Sequence, residues 1–483
     1  PGLEYRYTPS KTTSGNISAS FIDDKITGST SWKVDANHEQ TLPSEFEFKG
    51  VLDLEGEEFN RNFINNTNAR ARRNTDSFAN ITKSWEGSSL GIQTRYRDST
   101  ELSSDQTFAE LPKITYKTQK QTIGDTDFFF NQDTNFTSFL TDLDSDPDVD
   151  DNFSVQRFDF HPQISRTLKI APWLSLTPTL GVRETIYSKG LDATNNKRLD
   201  FFTRESFDFN AALEGPRFEK IFKINNTYIP KIKHLIEPRI TYNYIPEVDE
   251  KYRKKIKVFD GIDSVNRRST ITYSLTQRIL QKELEEIELE KEDSFSTREA
   301  LRFDISQSFD LIEATGAEKS ENKRPFSDLR FDLDSRLHDN LELNFDATFD
   351  VHKNVLKTYN IELGIKPIDS LYLFFDRRYT KNSSTFFIAG ADWNLGKGWR
   401  IQGTTRYDEK EKTFRENNFS LNYDNPCKCW SFNFDIVERE NLTSVVGDER
   451  ELKYLFSITL RGLGDLKTGL YQKLIHREFK SIK

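Results

Sequence analysis

The sequence predicts an all-β chain, a large antiparallel transmembrane β-barrel of about 22–26 strands, and three observations carry that prediction. First, apolar and polar residues alternate strand after strand between Leu329 and Leu460. Trp399, Ile401, Gly403, Thr405 and Tyr407 share one face, while Arg400, Gln402, Thr404 and Arg406 share the other. A period of two is that of a strand with one oily and one wet side. Second, short turns at Asp339-Asn340, Ile368-Asp369, Gly396-Lys397-Gly398 and Asn425-Pro426 recur roughly every 28–29 residues, so every second connection is tight. The connections between them, such as Asp408–Lys412 and Glu440–Arg450, are longer and charged. Short turns at one end and long polar loops at the other are how outer-membrane barrels are built, with about 9–11 residues of each strand crossing the apolar layer. Third, 39 Phe, 17 Tyr and 6 Trp make up 13% of the chain, as aromatic belts at two membrane boundaries require. Alternation alone also describes a soluble sandwich. The length of the series and its aromatic residues shift the balance to a barrel.

From the start, Gly2–Tyr7 alternates and then meets Pro9, which cannot donate to a ladder, so a strand ending there pairs weakly on that side. In a closed barrel this first strand must pair with the last, Leu452–Leu460, and that seam would be the weakest in the wall. Strands are expected around Ser18–Phe21, Ser31–Ala36, Glu45–Leu54 and Leu90–Arg97. From Gln119 to Asn152 the periodicity fails and Asp142, Asp144, Asp146, Asp148, Asp150 and Asp151 accumulate. Alternate aspartates resemble a calcium loop, but Pro147 sits where an EF-hand needs glycine, so a solvated loop is expected. Alternation returns at Trp173–Leu176, Phe207/Phe209 and Ile240/Tyr242/Tyr244. Leu284, Ile287 and Leu289 among the acids of Gln281–Asp293 read as a short amphipathic helix in an exposed loop. A barrel of this size is too wide for its own side chains to fill, so its lumen holds water, a plug or another protein.

Composition removes other classes. With 35% hydrophobic and 30% charged residues, no window of about 18 uninterrupted apolar residues exists, which excludes a transmembrane helix from the prediction. A net charge of −9 without a basic cluster argues against nucleic acid. The six histidines come with no Gly-x-Ser-x-Gly or His-Glu-x-x-His motif, so neither an enzyme nor a metal or other cofactor is expected. The chain opens on Pro1 rather than a signal peptide and is expected to be part of a longer precursor. Cys427 and Cys429, the two cysteines, lack the ligands for a zinc site and follow a short turn, the side that faces the oxidising periplasm. Two readings stay open: free thiols or a local disulfide, and pairing of each with a cysteine of a periplasmic segment outside this chain.

Several segments, in order, resemble the LPS-assembly protein family, LptD. They are Leu111–Tyr116, His234–Tyr242 with Tyr244 and Pro246, Val258-Phe-Asp260 leading to Asn266, Thr272–Arg278, Cys427-Lys-Cys-Trp430 and Leu460–Gly464. The family's periplasmic N-terminal domain is not in this chain, and Lys428 separates two cysteines that are adjacent in some relatives. The resemblance implies a 26-stranded barrel over residues 1–464 with a periplasmic tail at 465–483, integral to the outer membrane of a Gram-negative cell. It implies a small lipoprotein plug of the LptE kind and periplasmic bridge proteins as partners, with lipopolysaccharide leaving sideways between the first and last strands. The residues supply a physical reason for such a gate, since acyl chains reach lipid while sugars stay wet only if the wall opens at a seam short of hydrogen bonds. Leu3, Tyr5, Tyr7 and Pro9 against Tyr454, Phe456 and Ile458 are the gate candidates, and Arg95, Arg239 and Arg400 are candidate contacts for lipid phosphates in the lumen. A porin or nutrient-receptor channel is the alternative function, and a soluble all-β scaffold the remaining rival.

Overall fold

The structure, a computed structural model, describes residues 2–23, 30–56, 59, 74–99, 106–143, 153–191, 198–225, 229–247, 258–285, 294–316, 323–440, 450–460 and 464–467. Among these residues the fold is almost entirely antiparallel strand, with twenty-three strands of nine residues or more, inside the expected range. Helix Leu311–Thr315 is a short insertion whose start is capped by Asp310, the carboxylate accepting from the Ile312 and Glu313 N–H groups. No helix of the described residues is long and apolar enough to cross a membrane.

The chain forms two compact units. In the first, Gly2–Ser10, Thr13–Asp23, Thr30–Leu42, Phe46–Glu55, Ser77–Trp85, Ser88–Asp98, Gln106–Thr118, Phe128–Leu143, Phe153–Arg166 and Leu174–Tyr187 pair each with the next. In the second, the ladder runs from Arg268–Glu285 through Ser294–Asp310, Leu329–His338, Leu341–Asp350, Val355–Ile368, Leu371–Thr380, Ser384–Gly396, Trp399–Asp408, Thr413–Asp424 and Trp430–Glu440 to Arg450–Leu460. A four-residue strand, Gly464–Lys467, then folds back on Ser457–Leu460. The predicted turns close these hairpins. At one of them Gly398 has φ +88°, and a Cβ there would stand 1.9 Å from the Asp424 carbonyl oxygen, so only glycine fits.

Burial decides between sandwich and membrane wall. In the second unit the apolar face is the open one: Phe419 is 39%, Phe456 42% and Tyr454 61% exposed. The polar face is the closed one, with Asp376 at 0%, Asp435 at 1% and Gln402 at 4%. A sandwich core would reverse those figures. Exposed apolar rows on successive strands make a patch far beyond the few hundred Å² that a soluble surface carries, so hydrocarbon must cover them. The rows also have belts. At the short-turn end Trp399 packs on Tyr423 at 4.7 Å, and Tyr423 on Trp430 at 5.2 Å. At the other end Tyr359 stacks on Tyr379 at 5.0 Å and Tyr407 meets Phe414 at 5.0 Å. Trp399 and Tyr407 are eight residues apart on one strand. That is about 27 Å of chain, or roughly 20 Å of membrane thickness once the strand is tilted, close to the height of an outer-membrane apolar band.

The polar face contains one repulsive row. Register places Asp304 opposite Asp332 and Asp332 opposite Asp346, three carboxylates on adjacent strands. Like charges directly opposite destabilise a sheet, so Asp332→Asn should raise stability by about 0.2–1 kcal/mol, read as a higher unfolding midpoint in urea.

Three expectations are corrected. The loop expected over Gln119–Asn152 contains a sixteen-residue strand, Phe128–Leu143, paired on both sides. Its inward face carries Asn135, Thr137 and Thr141 and its outward face Thr134 and Ser138, so the hydrophobic contrast that marks a strand is weak. Of the aspartate run, residues 144–151 lie outside the described residues. The helix expected over Gln281–Asp293 is strand as far as Glu285, because Gln281–Glu285 pair across to Arg298–Ser294, and 286–293 are outside the described residues. The first strand runs past Pro9 to Ser10, with a register shift between Tyr7 and Ser10 where the proline cannot donate.

Candidate functional site in the first unit

A segment from the connection after Ile245 folds onto the polar face of the first unit. Phe259 lies flat on Phe139, ring centroids 4.3 Å apart and planes within 5°, and stacks beside Phe153 at 6.3 Å. Behind it Phe139, Phe153, Val155, Tyr187 and Phe202 form a buried cluster on a face that is otherwise polar. Arg157, fully buried, donates from Nη2 to Asp260 Oδ2 at 2.6 Å and from Nη1 to Asp260 Oδ1 at 2.7 Å and Asp263 Oδ1 at 2.8 Å. The Tyr187 hydroxyl donates to the same Asp263 oxygen at 2.7 Å. Arg204 donates to the Ile262 carbonyl at 2.7 Å and to Thr185 Oγ1 at 3.1 Å. Asp263 also organises the segment itself, its Oδ2 accepting from the Phe259 N–H at 2.9 Å.

The electrostatics follow from this arrangement. Burial pushes the Asp260 carboxyl up, but the hydrogen bonds and charge of Arg157 outweigh that and hold it below the ordinary 3.8. The Arg157 guanidinium faces both carboxylates, and Arg204 is held by the Ile262 and Asp263 carbonyl oxygens and the Thr185 hydroxyl. The Nε atoms of Arg157 and Arg204 are buried without a hydrogen-bond partner, leaving each guanidinium with a spare donor.

The residues singled out in the sequence lie elsewhere. Leu3, Tyr5 and Tyr7 share one face of the first strand, where Tyr5 stacks on Tyr7 at 5.9 Å and the Tyr7 hydroxyl meets His38 Nδ1 at 2.6 Å. Tyr454, Phe456 and Ile458 stand opposite Ile436, Phe434 and Phe432. Arg95 holds Asp76 through Nε at 2.6 Å and through a second contact from Nη2, and Arg400 grips Asp392 in the same way. Arg239 lies 3.4 Å from Glu214. Each of these arginines already has a carboxylate, so a lipid phosphate would have to displace it. Cys427 and Cys429 are bonded to each other in the structure, the local one of the two open pairings. Sequence reasoning missed Arg157, Tyr187, Arg204 and Asp263. Their spacing carries no local signal, because they meet only when residues 59 to 106 positions apart are brought together, and the sequence singles out only Val258-Phe-Asp260 of the segment.

Comparison with known proteins gives the context. Residues 29–386 match the family described as LPS transport system D, LptD. The LPS-assembly protein LptD of Shewanella oneidensis is 23% identical over 518 residues, covering 95% of this chain and 62% of its own length. That of Aliivibrio fischeri is 20% identical over 527 residues, covering 97% of this chain and 62% of its own length. The chain thus spans about three fifths of these curated relatives, 62% of each. Among solved structures the copper transporter OprC aligns over 94% of this chain and 72% of its own, with 10% identity and a TM-score of 0.35, a likeness too distant to bear on function.

Proposed function

Because this chain belongs to the LPS transport system D family, LptD, we propose that it is the barrel portion of an outer-membrane translocon that delivers lipopolysaccharide to the outer leaflet. The family match over residues 29–386 carries this reading, and the exposed apolar face supports it by fitting a wall that meets lipid. The protein is an integral outer-membrane protein whose work is transport and assembly rather than catalysis. A small lipoprotein plug occupies its lumen, periplasmic bridge proteins hand it the lipid, and lipopolysaccharide exits between strands Gly2–Ser10 and Arg450–Leu460.

The geometry of the two strands supports that exit. Pro9 supplies no N–H to either neighbour, and the register shift beside it limits the regular ladder with Thr13–Asp23 to Gly2–Tyr7. Among the described residues, the last strand pairs with Trp430–Glu440 and, at Ser457–Leu460, with the four-residue strand Gly464–Lys467. A seam bounded by a strand that lacks a donor at Pro9 would open at lower cost than a fully paired one, since each hydrogen bond lost inside lipid is expensive. Cysteine pairs drawn from Leu3 or Tyr5 and Tyr454 or Phe456, once oxidised, should stop the appearance of new lipopolysaccharide at the cell surface, and reduction should restore it. Surface delivery that continues unchanged with the staple formed would remove the gate from these strands.

A further inference from the structure

We propose that Arg157 and Arg204, with the aromatic floor beside them, form a binding site for the anionic head of an amphiphile, and that the segment 258–264 occupies it as a built-in stand-in. The inference uses only the chemistry of this site and does not depend on the transport reading.

The wall on its own is unbalanced. Arg157 is 0% and Arg204 2% exposed. Asp159, the nearby buried carboxylate on the same strand as Arg157, is engaged by Arg183 at 3.3 Å and Thr185 at 2.8 Å. The charges that balance Arg157 come from Asp260 and Asp263 of the segment, while Arg204 meets the segment through the Ile262 and Asp263 carbonyl oxygens. Those exposures hold with the segment in place, and a cation kept out of water in this way requires an anionic partner there, whether from the segment or from a ligand.

The segment is built like an amphiphile. A flat apolar group, Phe259, sits on Phe139 and Phe153, and two anionic groups follow it within four residues. The Arg157 fork and the Tyr187 hydroxyl are donors that would serve phosphate oxygens equally well. The Nε atoms of both arginines are buried donors that the segment leaves unsatisfied, and a head with more acceptor oxygens than a carboxylate has more acceptors to offer them. Exchange is also cheap in backbone terms. The Asp263 and Ser264 N–H groups bond back to the Asp260 carbonyl within the segment, and among the described residues 258–264 belongs to no strand ladder. The segment can leave without breaking a strand pair.

The test uses the full chain in neutral detergent with an environment-sensitive fluorophore on Ser264→Cys, a position exposed at the end of the segment. Dodecyl phosphate should change the emission saturably. Dodecyl maltoside should have no effect, and inorganic phosphate should act at least tenfold more weakly. In Asp260→Asn/Asp263→Asn the segment competes less well, so half-saturation by dodecyl phosphate should fall at least tenfold. Absence of a saturable response, an equal response to the neutral amphiphile, or a double variant that binds no more tightly would each overturn the proposal. Equal potency of inorganic phosphate would overturn the amphiphile assignment. If the double variant does not fold, the titration of the parent chain alone decides.

Discussion

Arg157→Met should release the segment 258–264 from the wall and accelerate amide hydrogen exchange across it by about a hundredfold or more. The substitution leaves Asp260 and Asp263 beside no strong donor fork, and an uncompensated buried carboxylate costs about 3–5 kcal/mol. The stacking of Phe259 on Phe139 at 4.3 Å returns about 0.5–1.5 kcal/mol beyond its buried area, too little to hold two charges out of water. The segment therefore gives way before the wall does. Exchange should change little in Gly2–Asp23, which takes no part in the cluster. Unchanged protection at Phe259 and Asp263 would show that aromatic packing, not the ion pairs, holds the segment.

The second large effect lies on the apolar face of the second unit. Phe419 sits between the two aromatic belts, opposite Gly403 on one side and Ile436 on the other. Phe419→Arg should cost about 2–4 kcal/mol, because the guanidinium would sit near the middle of the hydrocarbon. Leu460→Arg, beside Trp430 at the short-turn end, should cost about 0–1 kcal/mol, since the side chain reaches the boundary there. Reversible unfolding in urea from lipid vesicles reads both differences. Equal costs at the two positions would mean that depth in a bilayer does not govern this face.

Much of this architecture was legible in the sequence because its signal is local. In Trp399–Asp408 the two faces differ sharply in polarity except at Thr404 and Thr405, and the register found is the one the pattern required. Turns at Gly396-Lys397-Gly398 and Asn425-Pro426 were legible for the same reason, since left-handed backbone at Lys397, Gly398 and Lys428 selects a narrow set of residues around it. Phe128–Leu143 was not legible, because polar residues on both of its faces remove the contrast that periodicity measures. Gln281–Glu285 failed differently. Its leucine and glutamates suit a helix locally, and pairing with Ser294–Arg298 overrides that propensity. The Arg157 cluster was invisible for a third reason: five segments contribute to it, and no one of them announces the others.

The central claim is that alternate side chains of these strands touch hydrocarbon. Nitroxide labels placed one at a time along Thr413–Asp424, in protein reconstituted into lipid vesicles, test it through collision with oxygen, which concentrates in lipid, and with a water-soluble nickel chelate. Labels at Asn417, Phe419 and Leu421 should collide with oxygen and be shielded from the chelate, while those at Asn418, Ser420 and Asn422 should show the reverse preference. Labels at Phe419 and Leu421 shielded from both reagents would place those side chains inside a packed protein core and contradict the membrane wall.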